Sequence, residues 1–150
     1  MIVAGAGCAV IERSAQDVLE FALDLDRCRR VDPKFRRVRR HHMRGDEGEV
    51  RYSGTLRGIP TPADTQSIRL TRWTRLDSES IPSPLNRLAR FHGWFECEER
   101  GDGPLVRHRE QFDFSPAIAW LAAPILKRCL QDQVQQEVQE LKRQLEASRG

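Results

Sequence analysis

The sequence predicts an α+β domain in which antiparallel strands lie between two short amino-terminal helices and one long carboxyl-terminal helix. Three patterns carry this expectation. Residues 49–56 alternate with period two, which puts Val50, Tyr52, Gly54 and Leu56 on one face of a half-buried strand. Two longer alternating runs flank Arg100-Gly101-Asp102-Gly103, whose glycines and aspartate supply the positive backbone angles of a tight hairpin turn. Leu126, Leu130, Val134, Val138, Leu141 and Leu145 step by three or four residues, so one stripe of a helix packs while Gln131, Gln135, Gln139 and Lys142 face water.

Size and composition agree with one domain over residues 1–150. A hydrophobic content of 39% in 150 residues fills a single core, and there is no repeat of solenoid length and no Ser/Gly-rich linker. Charged residues make up 31% and no apolar run approaches 18 residues, so a membrane span is not expected. The opening Met1-Ile2-Val3-Ala4-Gly5-Ala6-Gly7-Cys8 lacks the basic start and apolar core of a secretion signal, which points to a cytoplasmic protein. Cys8, Cys28, Cys97 and Cys129 are far apart, so they read as buried free thiols. Their spacing implies no metal, and no cofactor is expected.

In chain order, Val3 to Glu12 reads as the first strand. Ser14 is a good N-cap for a helix from Ala15, in which Val18, Leu19 and Ala22 recur at helical spacing. A short helical turn over Asp26 to Arg30 is stopped by Val31-Asp32-Pro33, because proline disfavours helix at the residue before it. Strand character begins at Phe35 and returns at Gln66–Trp73 and Leu76–Ile81, after which Pro82 and Pro84 impose a loop. The hairpin has two registers. With Gly101-Asp102 at the turn, Phe95 opposes His108, Phe91 opposes Phe112 and Trp94 opposes Arg109; with Asp102-Gly103 the partners shift but the faces do not. In either, Phe91, Gly93, Phe95, His108, Glu110, Phe112 and Phe114 share the inward side. Ser115-Pro116 then opens the last helix, with serine as cap and proline at the first helical position. Pro124 must kink that helix or delay its start.

The stretch Val10-Ile11-Glu12-Arg13-Ser14-Ala15-Gln16-Asp17-Val18-Leu19-Glu20-Phe21, followed by Asp24-Leu25-Asp26 and Asp32-Pro33, resembles the amino-terminal signature of the polyketide cyclase/dehydrase and START-like (SRPBCC) superfamily. Gly93-Trp94-Phe95, Phe112-Asp113-Phe114 and the terminal Leu141-Lys142-Arg143-Gln144-Leu145-Glu146 resemble it further along the chain. Val31 departs from it, since an aromatic residue often precedes the Asp-Pro position. The resemblance implies the helix-grip fold, a curved sheet wrapped around the last helix. It also implies a deep apolar cavity holding a lipid, polyketide, quinone or similar molecule. Its motifs describe packing and name no reaction.

His108 and Glu110 are the candidate chemical groups, two residues apart on the apolar face and about 7 Å from each other. Buried charges are costly unless paired, so three readings stay open: a satisfied internal pair, a ligand anchor, or an acid/base couple. Tyr52, Phe91, Phe95, Phe112 and Trp120 complete the expected ligand site, Tyr52 offering a hydroxyl to a polar end. Gly93, lacking a side chain, leaves room for a ligand or another chain. Outward Trp94 admits either a cation contact with Arg109 or a homodimer interface. The segment 27–44 holds nine Lys/Arg and one acid, a local +8 that leaves the rest of the chain at −5 against a total of +3. Within it, alternation divides the charges of Arg36-Arg37-Val38-Arg39-Arg40-His41-His42 between faces and no aromatic platform is interleaved in that run, so nucleic acid is a disfavoured partner, ranking with a protein adaptor role behind a hydrophobic small molecule. Arg100-Gly101-Asp102 is explained by its turn, and Gly5-Ala6-Gly7 lacks the third glycine of a dinucleotide loop.

Overall fold

The computed structural model describes residues 1–31, 37–56, 59–60 and 62–148. The helix stop at Asp32-Pro33, the strand onset at Phe35 and the side chain of Leu56 lie outside the described residues. The elements run β1 (Ile2–Val10), α1 (Ala15–Leu23), α2 (Leu25–Cys28), β2 (Arg37–Arg44), β3 (Glu47–Ser53), β4 (Thr55–Leu56), β5 (Ile59–Pro60), β6 (Asp64–Thr71), β7 (Arg75–Ser80), β8 (Ala89–Glu98), β9 (Leu105–Phe114), α3 (Pro116–Lys127) and α4 (Leu130–Ala147). Seven strands form one antiparallel sheet in the order β1-β9-β8-β7-β6-β3-β2, and β4 pairs with β5 separately. This is the helix-grip arrangement, with α4 crossing the sheet and α1 and α2 closing one end.

Local chemistry sets the boundaries. Ser14 caps α1 in a full capping box: its hydroxyl accepts from the Asp17 amide at 3.0 Å, and the Asp17 carboxylate accepts from the Ser14 amide at 3.4 Å. Gly54 interrupts the strand expected over 49–56, so β3 ends at Ser53 and Thr55–Leu56 pairs elsewhere. In the hairpin, the Gly103 amide donates to the Arg100 carbonyl at 3.2 Å. That turn is centred on Gly101-Asp102, so Phe95 opposes His108, Gly93 opposes Glu110 and Trp94 opposes Arg109.

The carboxyl-terminal segment departs from one long helix. It is two helices, α3 and α4, and the break falls at Arg128-Cys129 rather than at Pro124, which lies inside α3. The expected stripe survives the break, because Leu126, Leu130, Val134, Val138, Leu141 and Leu145 are all buried. Three of its flanking polar residues do more than face water. Gln131 accepts from the Ala6 amide at 3.0 Å and Gln135 from the Cys8 amide at 3.1 Å, and each side-chain amide donates back to the carbonyl of the same β1 residue. Lys142 donates to the Val10 carbonyl at 2.6 Å. These bonds cover the free edge of β1, which would otherwise present open backbone groups to another chain. Gly5 and Gly7 permit the approach: a Cβ on Gly5 would lie 2.7 Å from the Leu130 carbonyl oxygen, and one on Gly7 2.8 Å from Gln135 Cα.

Two apolar clusters result. One joins α1, α2 and the carboxyl-terminal half of α4 to Val50, Ile68, Leu76 and Val106; the other packs α3 and Leu130 and Val134 of α4 on Val3 and Phe114. Cys28, Cys97 and Cys129 are buried free thiols, but Cys8 is exposed rather than buried, because alternation along β1 puts it on the face opposite Val3, Gly5 and Gly7. Burial pushes the Cys97 thiol up to about 12, which keeps it in the inert thiol form. Among the described residues no helix is long and apolar enough to cross a membrane.

Candidate functional site

The site lies where the middle of β9 meets the middle of α4. Strand alternation sends both His108 and Glu110 inward, as expected, and both are buried. The residue that completes the site is Glu137 of α4, also buried. His108 Nε2 is 3.5 Å from Glu110 Oε1 and 3.5 Å from Glu137 Oε2. On the other side of the imidazole, Nδ1 lies 2.9 Å from the Trp94 carbonyl. A carbonyl can only accept, so Nδ1 carries a hydrogen and Nε2 is the nitrogen presented to the two carboxylates. Gln133 donates to the second oxygen of Glu137 at 3.1 Å, which holds that carboxylate in orientation one turn along α4.

Electrostatics follow from this enclosure. Burial by itself pulls the His108 pKa down, but hydrogen bonding and charge from Glu110 and Glu137 outweigh it and raise the imidazole to about 9. The Phe95 ring stacks on the imidazole at a centroid distance of 3.9 Å and 4° between planes, closing its face from water.

The triad opens onto an apolar cavity of about 80 Å³. The sheet supplies Val50, Ile68, Leu76, Ser78, Phe91 and Phe95; α1 and α2 cover it with Phe21, Ala22, Leu25 and Cys28; α4 adds Leu141. A larger concavity of about 880 Å³ lies on the opposite face of the sheet. Its walls interleave Arg40, Arg44, Arg69 and Arg75 with Glu47, Glu49, Asp77 and Glu79, and neighbours pair, as Arg69 does with Glu47 at 3.3 Å. That surface is solvated and largely self-neutralised, whereas the small cavity holds desolvated ionisable groups. The small cavity is therefore the candidate site.

Four of the residues expected at a ligand site meet there: Phe91, Phe95, His108 and Glu110. Three do not. Tyr52 is buried and inward, but its hydroxyl is engaged by the Gln66 side chain in a network that continues to Ser78 and Asp64. Phe112 is drawn into the second apolar cluster, edge-on to Phe91 at 5.2 Å. Trp120 is 74% exposed, because Ala119, Ala123 and Leu126 take the inner side of α3 and leave Trp120 on the outer one. The space expected at Gly93 is filled by Phe91, whose Cζ stands 2.6 Å from where a Cβ would lie. Outward Trp94 is sandwiched by guanidinium groups, with Arg75 at 4.9 Å and Arg109 at 5.4 Å from its ring centroid. Reading the sequence for functional groups misses Glu137, although its spacing marks it: it stands three residues after Val134 and four before Leu141, on the buried stripe itself.

Comparison with known proteins fits this architecture. The profile of the family described as polyketide cyclase / dehydrase and lipid transport matches residues 8–146. The chain belongs to that family. Among solved structures, the di-domain ARO/CYC StfQ from the steffimycin biosynthetic pathway superposes with a TM-score of 0.78 at 13% identity, over 100% of this chain and 52% of that one. TTHA0849 from Thermus thermophilus gives 0.73 at 15% identity over 99% and 100% of the two chains. The Zhui aromatase/cyclase from Streptomcyes sp. R1128 gives 0.73 at 12% identity over 100% and 99%. At such identities the likeness is one of fold. A search of curated proteins found no match.

Proposed function

We propose that this member of the polyketide cyclase/dehydrase and lipid transport family is a cytoplasmic protein that binds a hydrophobic small molecule between the sheet and α4. His108, Glu110 and Glu137 take the guest's polar end. The observation that carries the reading is the buried triad opening onto a wall of aromatic and aliphatic side chains, the combination of apolar lining and few convergent polar groups that marks small-molecule sites. Family membership supports a guest of lipid or polyketide type. The cavity of about 80 Å³ is below the ~300–1,000 Å³ that drug-sized guests occupy. A multi-ring guest therefore enters by displacing the Phe91 ring from above Gly93 and lifting the α1–α2 cover.

Native mass spectrometry of the freshly purified protein tests this. A one-to-one adduct of a small hydrophobic molecule, weakened by Glu110→Gln, is the expected result. A clean apo mass, with no shift of the Gly93 and His108 resonances on adding a fatty acid or a naphthol, would reject it.

A second reading, catalysis of polyketide cyclisation or dehydration in the same cavity, has its own support. An imidazole nitrogen stands 3.5 Å from two carboxylate oxygens, so a proton donor and acceptors sit together out of water. Turnover of an added poly-β-ketone, lost in His108→Asn without loss of fold, would favour this reading over simple binding.

A further inference from the structure

The triad has the geometry of a metal site. Three donor groups, His108 Nε2 and one oxygen each from Glu110 and Glu137, lie within 4.8 Å of one another, and all three side chains are buried. The separation from Nε2 to each oxygen is 3.5 Å, with both carboxylates bonding to and charge-stabilising the imidazole in the metal-free chain. That separation is close to the edge of a coordination tetrahedron, since two bonds of ~2.0–2.1 Å at the tetrahedral angle end ~3.3–3.4 Å apart.

The supporting shell points the same way. A metal-bound histidine donates its other ring N–H to a carbonyl or carboxylate, which fixes its tautomer. Nδ1 of His108 does so to the Trp94 carbonyl at 2.9 Å. Ligating carboxylates are themselves held by hydrogen bonds, as Gln133 holds the oxygen of Glu137 that does not face His108. Charge within the triad is compatible with an ion: a neutral imidazole, two carboxylates and a divalent cation sum to zero, the sum an apolar enclosure favours.

We propose that His108 Nε2, Glu110 and Glu137 bind one divalent transition-metal ion of the zinc type, with a fourth coordination position facing the apolar cavity. Binding displaces the Nε2 proton to solvent. One nitrogen and two oxygens suit zinc, whereas calcium and magnesium favour all-oxygen shells of six or more ligands. The proposal goes beyond small-molecule binding and does not require an organic guest.

Isothermal titration of zinc chloride into the full chain, first stripped with a chelator, is the test. The expected result is one zinc per chain, with affinity lowered at least ~100-fold by His108→Ala or Glu137→Gln and ~10-fold by Gln133→Ala. His42→Ala, on the outer face of β2, is expected to bind as the unmutated chain does. Should the ligand variants fail to fold, cobalt(II) loaded into the unmutated protein provides a separate readout, the intense visible d–d absorption of a four-coordinate site. Absence of stoichiometric binding, binding that survives Glu137→Gln or is lost in His42→Ala, or a weak octahedral cobalt spectrum would each overturn the proposal.

Discussion

Replacing Glu137 by glutamine should change how the stability of the metal-free protein depends on pH, and the structure fixes the sign of the change. Against the downward pull of burial, Glu110 and Glu137 raise His108 from an ordinary 6.5 to about 9. A group whose folded pKa exceeds its unfolded value stabilises the fold fully below the unfolded value, and that contribution is lost as pH rises through the folded one. The window here is therefore about 6.5 to 9. At ~1.36 kcal/mol per unit, the gap between those values corresponds to ~3 kcal/mol. Glutamine keeps the shape of residue 137 but removes one of the two charges facing Nε2 while the burial penalty stays, so more than half of the upward shift should disappear and the loss should begin at lower pH with less than half the amplitude. Urea unfolding in chelator-containing buffer from about pH 6 to 10, with His108→Asn as the background for all other titrating groups, isolates the effect. If unmutated protein and His108→Asn show parallel pH profiles through that window, the pairing of His108 with the carboxylates is refuted.

Gln135→Ala removes the acceptor and donor that cover Cys8 and should cost ~1–2 kcal/mol with faster hydrogen exchange at the Cys8 amide; a neutral result would mean that the edge bonds contribute nothing. Gly5→Val forces a Cβ to within 2.7 Å of the Leu130 carbonyl oxygen, where neither backbone yields cheaply, so a loss of ~3 kcal/mol or more is expected by chemical denaturation. Trp120→Ser, at a 74% exposed position, should change stability by less than ~0.5 kcal/mol and leave guest retention untouched; weakened retention would return Trp120 to the site. Replacing His108, Glu110 and Glu137 together by leucine, methionine and leucine should raise stability by ~1–4 kcal/mol, as apolar replacement of a buried ionic triad can. A large destabilisation would identify the triad as a structural staple.

What the sequence disclosed and what it withheld divide along one physical line. Period two on the β8–β9 hairpin depends only on neighbouring residues, so the inward placement of His108 and Glu110 was legible, whereas the partners of Phe95 and Gly93 stayed open between two registers and are fixed by the turn at Gly101-Asp102. The α4 stripe was legible for the same reason. Which part of an inward face meets a cavity depends on what lies opposite, and periodicity carries no such information. Tyr52 and Phe112 point inward like Phe95, yet Gln66 claims the first and α3's cluster the second. Trp120 falls outside the site because the buried stripe runs on through Leu126, Ala123 and Ala119 of α3 and leaves Trp120 on the outer side. Gln131 and Gln135 sit on the polar flank of the stripe as expected, but the nearness of β1, set by two glycines far away in sequence, turns them from solvated residues into edge covers.

Glu137 shows how one residue can change the meaning of a site. With His108 and Glu110 alone, a buried pair on one strand has an ordinary explanation, since a single ion pair can satisfy itself. A second carboxylate from the opposite layer changes that picture: the imidazole now faces two buried carboxylates, in a cavity that Phe95 and Leu141 also line. An apolar residue at position 137 would continue the stripe from Val134 to Leu141 and avoid the desolvation penalty, which for a buried ion reaches several kcal/mol. Packing of the stripe alone therefore gives no reason for a carboxylate here. The arrangement becomes more favourable once something positive, or something that donates protons, shares the enclosure: a divalent ion on Nε2 and the two oxygens, or the polar end of a guest. Either occupant would meet the imidazole and both carboxylates together, and a divalent ion, which needs the Nε2 lone pair, should stabilise the folded chain most strongly where His108 has given up its proton.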